Sequence, residues 1–141
     1  LLDFLQGFSD GNFFLHVYIN TSIRIVLMVE LNSKKLIDDA VFCFAIGEDN
    51  EAKEILLNVL NHEPRNVDAL RAISEVCLSL QELKLAESFC RRALTVDPDD
   101  LTSVVSLARI LVKIGDKEGA EEASSKARIL GWKEELASDS E

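Results

Sequence analysis

Ala52, Ala86 and Ala120 are 34 residues apart (86 − 52 and 120 − 86). Pro64 and Pro98 keep the same interval, and so do Cys43 and Cys77. A repeat of this length leaves few folds open. It accommodates two short helices and their turns, and copies held in one register stack into a helical solenoid. Each copy then buries its apolar face mainly against its neighbours.

The hydrophobic spacing places the helices. The stretch 67–98, VDALRAISEVCLSLQELKLAESFCRRALTVDP, reads as two amphipathic helices folded back on each other and closed by a proline. The first starts at Asn66 or Asp68 and ends near Leu80, and its partner spans Leu83–Val96. Before it, a helix from Ser33 to about Ile46 turns at Gly47-Glu48-Asp49-Asn50 into a second, from Glu51 to about Asn61. His62-Glu63-Pro64 ends that one, because proline cannot continue a helix and biases the preceding residue away from helical angles. After it, the pair is Leu101–Ile114 and Lys117–Leu130, turning at Gly115-Asp116. Gly131 is expected as its C-cap. Trp132–Ala137 would add a short turn, and 138–141 would fray.

The repeats occupy 33–66, 67–100 and 101–134. They leave an N-terminal apolar segment, 1–32, and an acidic flexible tail, 135–141. Residues 13–31, FFLHVYINTSIRIVLMVEL, support three readings. Alternation at Leu15, Val17, Ile19 and at Ile23, Ile25, Leu27, Val29, Leu31 fits a β-hairpin. Ile23, Val26, Leu27, Glu30 and Leu31 fit a helix capped by Thr21 or Ser22, the favoured reading. A membrane span is opposed by Arg24 near its centre, a cost of about 2.5–3.5 kcal/mol. No basic segment precedes the apolar run, so a cleaved signal peptide is not expected.

Composition narrows the function classes. The chain is 141 residues long, 48% hydrophobic and 28% charged, as for one globular domain with an appendage. A net charge of −10 opposes nucleic acid and anionic membrane surfaces as partners. Any membrane contact would fall to 13–31. Three cysteines, Cys43, Cys77 and Cys90, have no metal-ligand spacing and read as buried reduced thiols, which suits a reducing compartment such as the cytoplasm. The six glycines form no phosphate loop, and His16 and His62 stand apart from any Cys or Glu at triad or ligand spacing. No catalytic residue, metal or cofactor is expected.

The repeat pattern resembles the tetratricopeptide repeat family over about 102 residues. In 67–100 the residues that carry it are Leu70, Ile73, Ser74, Cys77, Ala86, Cys90, Ala93 and Pro98. In 33–66 they are Leu36, Asp39, Ala40, Cys43, Ala52, Leu56, Val59 and Pro64. In 101–134 they are Val104, Leu107, Ala108, Leu111, Ala120, Ser124, Ala127 and Trp132. Small residues at Ala40, Ser74, Ala108, Ala52, Ala86 and Ala120 let paired helices approach closely. Asp39, Ser124 and Trp132 depart from the pattern. The resemblance implies an all-α, right-handed solenoid of three helical hairpins.

The resemblance also implies that the first helix of each pair lines a concave groove. Its residues would be Lys34, Ile37, Val41 and Phe44, then Arg71, Glu75 and Leu78, then Val105, Arg109, Val112 and Lys113. The apolar members would receive apolar side chains, and Arg71, Arg109 and Lys113 would receive a carboxylate or backbone carbonyls. The family's clamp for chaperone C-terminal carboxylates is missing. Ile37, Val41, Ala72, Thr102 and Ser106 stand at its positions. The expected function is a non-catalytic adapter, scaffold or chaperone that binds a segment of a protein partner. The alternative is an assembly-factor or structural subunit whose segment 13–31 docks permanently into a larger complex or against a membrane.

Overall fold

The computed structural model describes residues 32–140 and, separately, Ile23. The readings of 1–31 as helical cap, hairpin or docking element lie outside the described residues. The chain divides into two compact units, Leu1–Lys35 and Leu36–Glu141. Apart from Ile23 and residues 32–35, every described residue belongs to the second unit.

Six helices are described: α1 over 32–45, α2 over Asp49–His62, α3 over Val67–Ser79, α4 over Leu83–Val96, α5 over Leu101–Ile114 and α6 over Lys117–Ser138. No strand occurs among the described residues, and no helix there is long and apolar enough to cross a membrane. The helices form consecutive hairpins. α3 packs against α2, α4 and α5, and α5 against α3, α4 and α6, so the middle hairpin has neighbours on both sides.

The 34-residue period recurs in the hydrogen bonds. At the turn inside each hairpin one residue takes positive φ: Gly47 at 86°, Gln81 at 61° and Gly115 at 92°. Its N–H and the next one reach back to satisfy carbonyls left unpaired at the helix end. Gly47 N donates to Phe44 O at 3.1 Å, Gln81 N to Leu78 O at 3.2 Å and Gly115 N to Val112 O at 3.1 Å. Glu48, Glu82 and Asp116 then donate to Cys43, Cys77 and Leu111. Between hairpins, Asn66 and Asp100 act as side-chain N-caps, accepting from Ala69 N and Ser103 N at 3.1 Å each.

The small residues lie where helices meet. Ala52 and Ala86 are fully buried, and Ala120 nearly so. Their amides donate to Glu48, Glu82 and Asp116 carbonyls at 3.0, 2.9 and 3.0 Å, so the three alanines hold matching places in successive hairpins. Around them Leu56, Leu70, Ile73, Val76 and Cys77 form one continuous core. Each large side chain in it contributes about 1.5–3 kcal/mol of apolar burial.

The last helix differs from expectation. α6 does not stop at Gly131 but runs on to Ser138, so much of the expected tail is helical. The cause is Trp132. It stands where Pro64 and Pro98 end α2 and α4, and it keeps the N–H that proline lacks. Lys133, Glu134, Glu135, Leu136 and Ala137 then favour the helix.

Candidate functional site

The groove positions form rows because each recurs after 34 residues. One row is Ile37, Arg71 and Val105. The next is Val41, Glu75 and Arg109. The third is Phe44, Leu78 and Val112. α1, α3 and α5 carry one member of each row. α3 packs directly on α5, and in the second row this brings Glu75 beside Arg109.

Burial within the rows is uneven. Val41, Val105 and Val112 are exposed, the last at 67%. Ile37 and Phe44 are partly buried against the core, with an edge open. Leu78 does not belong to the accessible face. At 4% exposure it is a core residue, covered because α3 has packed helices on both sides. Arg109 and Lys113 are exposed, and Arg71 and Glu75 are partly buried. Lys34 is exposed on α1 and falls in the N-terminal unit.

The two arginines already have carboxylate partners. Arg71 Nη2 lies 2.8 Å from Asp68 Oδ1, and its Nη1 lies 3.4 Å from Asp100 Oδ1. Arg109 Nη1 donates to both carboxylate oxygens of Glu75 at 3.2 Å. Ser106 Oγ donates to Glu75 as well, at 2.5 Å. A guanidinium engaged in this way meets an incoming carboxylate only by giving up its own. Sequence reasoning proposed the cations without these partners. The Glu75–Arg109 pair was legible in principle, as opposite charges one period apart. Asp100 was not, because its side chain first had to be placed as the α5 cap.

Cys77 and Cys90 are shielded by burial, and Cys43 is partly open. Burial raises Cys77 to about 11 and Cys90 to about 12. Cys90 Sγ also donates to the Ser103 carbonyl at 3.0 Å. Partial burial, then the charges of Glu51, Glu48 and Asp39, raise Cys43. The turn at Gly47 gathers Cys43, Glu48 and Glu51, whose ligand atoms lie within 4.8 Å of one another. That grouping was not visible in the spacing of cysteines alone. Its carboxylates are exposed, and their charge adds to partial burial in raising the Cys43 thiol above its ordinary range.

By sequence, the chain matches no family model and no curated protein. By structure it is similar to several solved chains. An O-GlcNAc transferase mutant from Thermobaculum terrenum superposes with a TM-score of 0.69 and 24% identity over 72% of this chain. This chain spans only 20% of that enzyme. The second TPR of Spaghetti (RPAP3), bound to the HSP90 peptide SRMEEVD, gives 0.67 and 16% identity over 70% of this chain and 91% of its own. PcrH in complex with the chaperone binding region of PopD gives 0.69 and 18% over 72% and 76%.

This is the tetratricopeptide repeat (TPR) fold. At such identities the likeness extends to architecture alone. The departures from the TPR pattern are surface features here: Asp39, Ser124 and Trp132 are all exposed.

Proposed function

We propose that this chain is a non-catalytic TPR interaction module that binds a segment of another protein across α1, α3 and α5. The observation that carries this reading is the chemistry of that face. Val41, Val105 and Val112 leave apolar surface in water, while the arginines among them are held by Asp68, Asp100 and Glu75. A face of this kind gains by burying apolar side chains and gains little from a carboxylate brought to either arginine. The partner is accordingly an extended or helical segment with apolar anchors.

The face is preformed, held by caps and by a continuous core, so binding requires little reordering. Its mechanism is presentation of a fixed surface, with no bond made or broken. The RPAP3 and PcrH structures, each holding a peptide or a region of another protein, support this use of the fold. The transferase comparison supports no catalysis, because this chain spans a fifth of that enzyme. The role as adapter, scaffold or chaperone in a reducing compartment follows from the same reading.

Affinity purification from native lysate after cross-linking tests it, with wild type beside Val105→Asp plus Val112→Asp. Both sites are exposed, so the variant should keep its fold by circular dichroism. A partner recovered with wild type should be lost with the variant. Equal recovery from both proteins would remove this face from the binding surface.

A further inference from the structure

α6 outruns its counterparts. It has 22 residues, whereas α2 and α4, which start at the same place in the repeat, have 14 each. The added stretch, 131–138, buries no side chain among the described residues. Packing of an apolar face supplies most of the stability of a helix, so a stretch without such contacts is marginal in water. Yet an apolar face is present. Ile129, Trp132 and Leu136 are each more than half exposed. At about 3.6 residues per turn they form one stripe, on the side of α6 away from the buried Ala123 and Leu130.

The charges beside the stripe decide what fits it. Arg128 and Glu135 are two turns apart, so they lie along the same edge of the stripe. Arg128 donates to Ser125 Oγ at 3.1 Å, and neither it nor Glu135 has an ion-pair partner among the described residues. A second α6, antiparallel and related by a two-fold axis beside Trp132, sets Arg128 opposite Glu135 of the partner subunit, and the reverse. Ile129 then lies beside Leu136 of the partner subunit. A parallel copy would set like charges together. The chain as a whole carries −10, which opposes self-association. Lys126, Arg128 and Lys133 offset Glu134 and Glu135, so along this edge two copies meet without that repulsion.

We propose that the α6 stripe of Ile129, Trp132 and Leu136 binds a second copy of this chain. The two helices pair antiparallel, and Arg128 and Glu135 form two reciprocal ion pairs. A contact of this symmetry uses the same patch twice and closes at the dimer. With three apolar side chains from each copy it is small, and its Kd is on the order of 100 µM. The stripe lies on α6, apart from the positions on α1, α3 and α5 proposed for a peptide, and it stands whether or not those bind one.

The full chain tests the proposal, and Trp132, its one tryptophan, reports on the stripe. Sedimentation should show a monomer–dimer equilibrium, with Trp132 emission moving to the blue over the same concentration range. Leu136→Glu, at an exposed site, should keep the helical circular dichroism and raise Kd at least about tenfold. Charge reversal tests the register. Arg128→Glu alone and Glu135→Arg alone should each stay monomeric, because each sets like charges face to face. Mixed together they should pair, since each supplies the charge that the other lacks. A monomer at every concentration, a dimer that survives Leu136→Glu, or two charge variants that do not pair when mixed would overturn the proposal. Trp132 emission already blue-shifted in the monomer would mean that the chain covers its own stripe, and would overturn it too.

Discussion

Arg109 Nη1 lies 3.2 Å from both carboxylate oxygens of Glu75, one full repeat earlier in the chain. The pair joins α5 to α3 across the surface proposed for the partner. Arg109 is exposed, and a pair so open to water contributes only ~0–1 kcal/mol to stability. Its larger effect is on recognition, because it occupies a cation that would otherwise attract acidic ligands. Glu75→Gln should leave the unfolding midpoint nearly unchanged. It should also raise affinity for a peptide ending in a free carboxylate by up to about tenfold, the worth of one freed charge-assisted hydrogen bond. Fluorescence anisotropy with a labelled acidic peptide measures this. Equal affinity in both proteins would show that the pairing does not govern ligand charge.

The turn at Gln81 holds a strained residue. Gly47 and Gly115, one repeat away on either side, adopt the left-handed region where glycine carries no Cβ penalty. Gln81 adopts it at φ 61° with a side chain, at a cost of roughly 1–2 kcal/mol. Gln81→Gly removes that cost, but frees the unfolded chain by about 0.4–1 kcal/mol. The net expectation is stabilisation by ~0.5–1 kcal/mol, read as a higher urea midpoint with unchanged m-value. A lower midpoint would mean that the Gln81 side chain contributes more than its backbone costs.

The parts of the structure set by the repeat were legible in advance, and the parts set by its exceptions were not. Leu83–Val96 and Leu101–Ile114 coincide with the helices read from periodicity, because turn residues and caps recur at fixed offsets around them. The matching burial of Ala52 and Ala86 follows from the same register. Gly131 misled because a glycine past the last apolar residue usually signals a stop. The missing proline at 132 was the stronger signal. Leu78 misled because its row is open at Val112, where the array runs out of neighbours, and closed at the middle hairpin. The partners of Arg71 and Arg109 come from other helices, and their positions depend on packing that periodicity alone does not place.

Asp100 joins two functions that Asn66 keeps more nearly apart. Both cap a helix, but Asp100 also accepts from Ser103 Oγ and pairs with Arg71. Loss of a cap costs about 0.5–2 kcal/mol. Asn66→Ala should fall near the middle of that range. Asp100→Ala should cost more, and should also leave Arg71 with Asp68 alone. In a double-mutant cycle, Arg71→Ala should therefore be milder in the Asp100→Ala background, by about 0.5 kcal/mol or less. Strict additivity would show that the 3.4 Å contact contributes nothing measurable.

Alkaline pH should destabilise the fold through its buried thiols. Burial is the main cause that raises Cys77 to about 11 and Cys90 to about 12, from an ordinary 9.0. In the unfolded chain both thiols lose their protons around pH 9, while in the folded chain they keep them. The unfolded state therefore binds fewer protons between these values, and stability falls as pH rises. The contribution is complete below pH 9 and is lost progressively up to pH 11 for Cys77 and 12 for Cys90, at no more than about 1.4 kcal/mol per pH unit for each thiol. Urea midpoints measured from pH 8 to 11 should fall more steeply in wild type than in Cys77→Ala plus Cys90→Ala, which has a lower stability throughout but no thiol to titrate at these sites. Parallel curves would place the alkaline loss in other groups. Alkylation at pH 8 gives an independent check, since half-buried Cys43 should react in the native state and the other two only as the hairpins open.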